Sequence, residues 1–240
     1  MALPAFADEG GGIEASPATR PELAVALDHP PSVRSGLKRF IDVVGASAML
    51  LVGLPLIALI ALAIRLDSAG PVLHRQTRCG YRGRTFTCLK FRTMRNGSDE
   101  EPHRRYVRGL VTGESDARNG DGVYKLVSDQ RVTRFGALLR QTSLDELPQL
   151  WNVLAGDMTL VGPRPPLPYE VELYDERQHR RLTVKPGLTG LWQVSGRNQL
   201  SYRDMVELDL KYISTWSHAL DARILLRTLP VVLFNSGRAQ

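Results

Sequence analysis

The chain has 240 residues, enough for one or two domains, and its net charge of +6 comes almost wholly from arginine, 26 Arg against 5 Lys. Arginine's planar fork grips phosphate at two points, so the partner classes such a chain admits are phosphorylated ligands, an anionic membrane face and nucleic acid. Two cysteines, Cys79 and Cys88, exclude a disulfide framework and point to a reducing compartment, five scattered histidines exclude a zinc site, and no Walker-type loop, dinucleotide fingerprint or internal repeat is present.

Residues 1–34, rich in Ala, Pro, Gly and Glu, have no sustained apolar period and read as a disordered tail. The tail lacks the basic start and apolar core of a secretory signal. It is followed by "LKRFIDVVGASAMLLVGLPLIALIALAIRLDSAG", over which a membrane helix is expected from 37 to 68. Val43 to Ile64 gives 22 uncharged residues, long enough to cross a bilayer. Pro55 near its middle removes a backbone hydrogen bond and kinks a helix. Arg34, Lys38 and Arg39 precede the run, and Arg65, Arg75 and Arg78 follow it. Cationic flanks prefer the cytoplasmic side, so two such flanks predict a segment that enters, bends at Pro55 and leaves by the same face. A spanning helix with a tolerated proline and a buried globular helix are the other two readings.

"PVLHRQTRCGYRGRTFTCLKFRTM" predicts a β-hairpin over 71–95, turning at Gly80 to Gly83. Lys90 and Arg92, two apart, point to one face, which suits an anion as well as a solvated strand face. Residues 96–128 read as a long loop with a short helix around "EPHRRYVRGL". From Asp129 the pattern is helical, with Val132, Phe135, Leu138 and Leu139 in one stripe and Arg140 at its end. "SLDELPQLWN" then sets Asp145 beside Glu146. Either Asp145 is an N-cap with Pro148 at the third helical position, or Ser143 and Glu146 form a capping box. "GDMTLVGPRPPLP" locks Arg164 between prolines in a loop with little entropy left to lose. "VKPGLTGLWQVSGRN" is a Gly-rich loop carrying Lys185, Trp192 and Arg197. Two helices are expected in the last 40 residues, the second apolar with basic interruptions, which suits a membrane surface or a packed core equally.

"KFRTM", "TRFGALLRQTSLDELPQLWNVLAGDMTLVGPRP", "VKPGLTGLWQVSGRN" and "ELDLKY" occur in this order behind the apolar segment. Together they strongly resemble the bacterial sugar transferases, small monotopic phosphoglycosyl transferases, over about Leu37 to Phe234. The resemblance implies an α+β, mainly helical fold. Its parts are a proline-broken re-entrant helix, a small β-hairpin and a cytoplasmic catalytic domain with interfacial amphipathic helices, on the cytoplasmic face of the bacterial inner membrane. The transferase domain is expected over 35–240, with its catalytic core and C-terminal helices over 129–240. The implied reaction moves a sugar 1-phosphate, glucose or galactose, from a UDP-sugar to polyprenyl (undecaprenyl) phosphate and releases UMP. That is the first membrane step of exopolysaccharide or glycoconjugate synthesis.

By the same resemblance Asp145 is the nucleophile that forms a covalent phosphosugar, and Glu146, with Asp145, holds Mg²⁺. Lys90, Arg140 and Arg164 contact phosphate, and Arg92 and Arg197 are added here as substrate-binding cations. Partners expected beyond the substrates are the lipid bilayer, a second copy of the chain and downstream glycosyltransferases. A carboxylate is ionised at neutral pH and needs no general base to attack phosphorus. Two alternatives compete: a glycosyltransferase moving the bare sugar, which releases a nucleoside diphosphate, and a non-catalytic scaffold, which has no use for the acid pair. A nucleic-acid binder fits the 22-residue apolar run badly.

Overall fold

The computed structural model of the chain describes residues 35–95, 97, 101–112, 131–196 and 200–234. The expected tail and most of the 96–128 loop lie outside the described residues. Ser35 starts α1 (Gly36–Asp67), its hydroxyl accepting the Lys38 N–H of the first turn. α1 takes in the whole apolar run and continues through Pro55. One stripe of it is covered: Lys38, Asp42, Ala46, Ile60 and Ile64 are buried. The other side exposes large apolar side chains from Leu37 to Leu66, with Leu51 76% and Val52 82% exposed.

The far end of α1 is capped from outside. The Arg92 guanidinium donates to the carbonyls of Ala69, Ser68 and Ile64 at 2.9, 2.6 and 3.4 Å, offsetting the negative helix end. This departs from the expectation that Arg92 joins Lys90 on an anion: Arg92 is buried under α1, while Lys90 turns to Glu146. The flank cations divide too. Lys38 is buried against Asp221, Arg39 donates to the Val153 and Leu154 carbonyls, and Arg78 is buried on the hairpin, whereas Arg65 and Arg75 are exposed.

The hairpin is as expected. β1 (Leu73–Cys79) and β2 (Thr85–Phe91) pair antiparallel, from Leu73 opposite Phe91 to Cys79 opposite Thr85. α2 (Glu101–Thr112) is the short helix expected in the loop. α3 (Arg134–Thr142) starts later than the periodicity predicts, because Val132 bridges to Met94 and the Thr133 hydroxyl caps Gly136 N–H. Leu138, expected in its apolar stripe, is exposed.

Ser143 then takes a left-handed conformation, φ 57°, and leads into a 3₁₀ turn over Leu144–Glu146. α4 (Gln149–Ala155) follows with Pro148 at its N-cap and Gly156, φ 91°, at its C-cap. Neither cap expected over "SLDE" is present. Ser143 is used to end α3, its N–H bonding the Arg140 carbonyl, and a left-handed residue cannot hold the extended N-cap geometry.

β3 (Thr159–Val161) and β4 (Gly187–Thr189) form a second, parallel two-stranded sheet that the sequence reading did not contain. β3 is buried throughout, so no alternation marked it. α5 (Pro168–Val171), α6 (Glu176–His179) and α7 (Leu191–Ser195) are single turns. α8 (Tyr202–Ser214) and α9 (His218–Phe234) are the two expected C-terminal helices. α9 buries Asp221 and Ile224 and exposes Leu226 and Leu229 together with Arg223 and Arg227, so one face is core and the other is open, apolar with basic interruptions.

The main core joins Ala46 to Leu150 and Val153 of α4, Leu160 and Val161 of β3, Tyr212 of α8 and Ile224 of α9. A second cluster joins Ile60 and Ile64 to Phe91 of β2 and Leu139 of α3. Each such buried side chain is worth about 1.5–3 kcal/mol, so both ends of α1 are fastened to one domain.

Candidate active site

The acid pair is placed by a reversal of the chain. α3 can run against Thr93 only because residue 136 is glycine: a Cβ there would sit 2.1 Å from the Thr93 carbonyl oxygen. That approach brings Arg140 to Thr93, whose hydroxyl accepts from its Nε at 2.9 Å. The left-handed turn at Ser143 then swings Asp145 and Glu146, both half-buried, back toward the hairpin. Successive side chains on a 3₁₀ turn point about 120° apart, so the two carboxylates face different directions.

Glu146 faces β2. Lys90 Nζ donates to its Oε1 at 2.7 Å in a partly buried pair. The register of that pair is set by Asn152 of α4, a residue the sequence reading passed over. Its amide bonds the free edge of β2 on either side of Cys88, accepting from Leu89 N at 3.0 Å and donating to the Thr87 carbonyl at 2.7 Å. Nothing local in "QLWNV" announces this, since the partners lie more than 60 positions away.

Arg164 arrives from the opposite wall, and its loop is held by more than its prolines. Every carbonyl from Pro163 to Pro166 has a donor: Gly187 N at 2.8 Å, Arg181 Nη2 at 3.5 Å, Arg78 Nη1 at 2.9 Å and Cys79 N at 2.9 Å. Arg181 is itself fixed in a buried pair with Asp209 of α8, at 2.8 Å, and by the Tyr174 hydroxyl at 2.6 Å. Burial pushes the Asp209 carboxyl up to about 6, with Arg181 and then Arg164 pulling the other way.

These walls meet at a small open cleft lined by Arg78, Lys90, Glu146, Gln149, Arg164 and Gln193, with Cys88 beneath it. Three cations against one carboxylate leave a positive surplus suited to a diphosphate. Burial raises the Cys88 thiol above its ordinary range, with Lys90 and Arg78 opposing, which disfavours its thiolate form. The Gln193 Oε1 is buried without a hydrogen-bond partner, an acceptor that a substrate donor would satisfy.

Of the expected residues, Lys90, Glu146 and Arg164 line one cleft, and Asp145 stands on the same turn as Glu146. Arg140 ends the helix leading into that turn, Arg92 is committed to the end of α1, and Arg197 lies outside the described residues. Arg78, Asn152 and Gln193 were missed. Arg78 was read as a membrane flank, and its role depends on a loop almost 90 positions later. Among the described residues no three His, Cys, Asp or Glu side chains gather around one point, so a cation here would draw ligands from the acid pair and from substrate.

A long apolar helix fastened to a domain with a basic cleft and an acid pair defines a class of membrane-associated enzymes handling phosphorylated substrates. The chain belongs to the bacterial sugar transferase family, whose profile matches residues 33–235. It is 45% identical over 202 residues to the galactosyl transferase CpsE of Streptococcus agalactiae, covering 83% of this chain and 43% of that protein. It is 43% identical over 201 residues to the exopolysaccharide production protein ExoY of Rhizobium meliloti, covering 83% and 87%. It is 42% identical over 204 residues to the UDP-glucose:undecaprenyl-phosphate glucose-1-phosphate transferase of Caulobacter vibrioides, covering 82% and 69%. The chain thus spans less than half of CpsE and most of ExoY.

Proposed function

We propose that this chain transfers a hexose 1-phosphate, glucose or galactose, from a UDP-sugar to undecaprenyl phosphate at the cytoplasmic face of the inner membrane. This would open exopolysaccharide or capsule assembly. The observation that carries the reading is the cleft where Lys90, Arg78 and Arg164 converge beside the Asp145–Glu146 turn. The names of the relatives supply the substrate classes, and they divide between galactose and glucose.

In the proposed mechanism an Asp145 carboxylate oxygen attacks the phosphorus that bears the sugar. The bond from that phosphorus to the bridging oxygen breaks, and UMP leaves with the electron pair. An oxygen of the lipid phosphate then attacks the same phosphorus, the acyl phosphate bond breaks, and Asp145 returns as a carboxylate. Lys90, Arg78 and Arg164 meet the charge on the phosphoryl oxygens from fixed positions. The pair fits a magnesium ion, which takes one or two carboxylates plus substrate phosphates; Glu146 with Asp145 would hold it, and it would supply further positive charge. Product identity tests the reaction class. Purified full-length protein given UDP-glucose or UDP-galactose, Mg²⁺ and undecaprenyl phosphate is expected to release UMP and a lipid diphosphate sugar. Release of UDP would instead mean transfer of the bare sugar.

The membrane reading proposed is re-entrant. A helix spanning the bilayer holds its ends about 30 Å apart on opposite sides. Here Lys38 and Asp42 at one end bond Asp221 and Thr159, and Ile60 and Ile64 at the other pack on Phe91 and Leu139. Both ends on one domain support entry and exit by one face. Single cysteines at positions 36 and 67, in a chain with Cys79 and Cys88 replaced, are expected to resist an impermeant thiol reagent applied from the periplasm. Labelling at one position alone would establish a spanning helix.

A further inference from the structure

Two glutamines line the cleft beside the acid pair, Gln149 of α4 and Gln193 of α7, and the mechanism above uses neither. Gln149 is 3% exposed, and among the described residues no hydrogen bond engages its side-chain amide. Gln193 is half engaged: its Nε2 donates to the Leu188 carbonyl at 3.3 Å, while its Oε1 is buried without a partner. A buried amide left unpaired is costly, and folded proteins nearly always supply a partner. Lys90, Arg78 and Arg164 suit phosphate, whereas two neutral amides suit an uncharged group. Given the hexose 1-phosphate transfer on which this rests, we propose that Gln149 and Gln193 form a subsite that hydrogen-bonds one hydroxyl of the transferred sugar and thereby selects the sugar.

The chemistry of the unpaired atoms selects the group. The Leu188 carbonyl holds the Gln193 amide in one orientation, so the atom left over is an acceptor and needs a donor. An ionised phosphate oxygen has no hydrogen to give. A hydroxyl donates one hydrogen and has two lone pairs, so it can give to Gln193 Oε1 and accept from the Gln149 amide at once. Size agrees. The cleft holds about 20 Å³, room for one water-sized group such as a hydroxyl, while its open side leaves the rest of the substrate outside.

Position separates the sugar from uracil, the other part of a UDP-sugar that carries a donor. Gln149 opens α4 directly behind the acid turn over Leu144–Glu146, and Glu146 lines the same cleft. The phosphorus attacked by Asp145 bears the sugar, and uracil is attached only beyond the second phosphate. Gln193 is fixed from the opposite wall. A Cβ at Gly190 would sit 2.9 Å from Gln193 Oε1 and 2.5 Å from the Gly162 carbonyl oxygen, so only glycine lets α7 start against the strand that leads to Arg164.

Equilibrium binding to full-length Asp145→Asn protein in detergent reads the subsite without turnover. The probes are UDP-glucose, UDP-galactose, and the four forms of the tighter ligand that each lack one hydroxyl of the sugar. One of the four is expected to bind about tenfold more weakly than its parent, and the others within about threefold. Gln149→Met and Gln193→Met, made separately in the same background, keep the side-chain length and remove the amide. Each is expected to bind the parent about tenfold more weakly and to bind parent and deoxy form alike, which a general loss of structure would not produce. Binding of all four deoxy forms as tightly as the parent overturns the subsite and leaves the transfer reaction standing. So does full discrimination retained by both glutamine variants, or a loss that instead appears between UDP-sugar and its thymidine counterpart. Failure to bind either UDP-sugar overturns the subsite together with the reaction it rests on.

Discussion

Asp145→Asn is expected to abolish the release of UMP from UDP-sugar when no lipid acceptor is present. Wild type given UDP-sugar and Mg²⁺ alone should release up to one equivalent of UMP and gain the mass of one sugar phosphate, because the first half of the reaction needs no lipid acceptor. The amide keeps the shape of the 3₁₀ turn over Leu144–Glu146 and removes the attacking charge, so both signals should vanish. Loss of a nucleophile typically costs on the order of 10⁴-fold or more in turnover. Glu146→Gln should behave differently. It breaks the 2.7 Å pair with Lys90 and weakens the proposed cation site, so its defect should be partly recovered by excess Mg²⁺. The competing mechanism is direct attack by the lipid phosphate, with Asp145 only holding metal. Fully active wild-type enzyme that releases no UMP until lipid is added would overturn the covalent step and leave the overall reaction standing.

Lys38→Met should be the most damaging change away from the cleft. Lys38 Nζ donates to Asp221 at 2.7 Å and to the Val161 carbonyl at 3.0 Å, and Asp221 also accepts from Tyr212 at 2.8 Å and Trp216 at 3.1 Å. This buried network joins α1, β3, α8 and α9. Removing the cation leaves Asp221 buried and uncompensated, a loss of about 3–5 kcal/mol against a total stability of roughly 5–15 kcal/mol. Activity should fall as well, because β3 feeds directly into the Gly162–Pro166 loop that carries Arg164. Unfolding in urea, followed by tryptophan fluorescence in detergent, measures the first effect. Lys38→Met combined with Asp221→Leu should return most of the stability, since replacing both members of a buried ion pair by apolar groups is often neutral. A single variant as stable as wild type would show that Lys38 is not what fastens α1.

The sequence by itself determined the features that depend on neighbours along the chain. The apolar run is α1, the Gly80–Gly83 turn with its flanking strands is a hairpin, and the two C-terminal helices stand where periodicity put them. Motif order alone assigned Asp145, Glu146, Lys90 and Arg164, and the fold brings Lys90, Glu146 and Arg164 to one cleft with Asp145 on the same turn. What only the tertiary structure decided are pairings between residues far apart in the chain. Lys90 and Arg92 are equivalent in strand periodicity, yet one meets Glu146 and the other the end of α1, because the chain leaves the strand after Phe91. The caps expected over "SLDE" fail because Ser143 is used by the helix before it, a choice that α3 packing on Thr93 imposes through Gly136. Lys38, Arg39 and Arg78 looked like charges beside a membrane segment. Burial demands a partner for each, and the partners, Asp221, the α4 carbonyls and Pro165, lie between 87 and 183 positions away. The parallel pairing of β3 with β4 escaped for the same reason: a three-residue strand buried on both faces has no period to read, and its hydrogen bonds are visible only once the chain has folded.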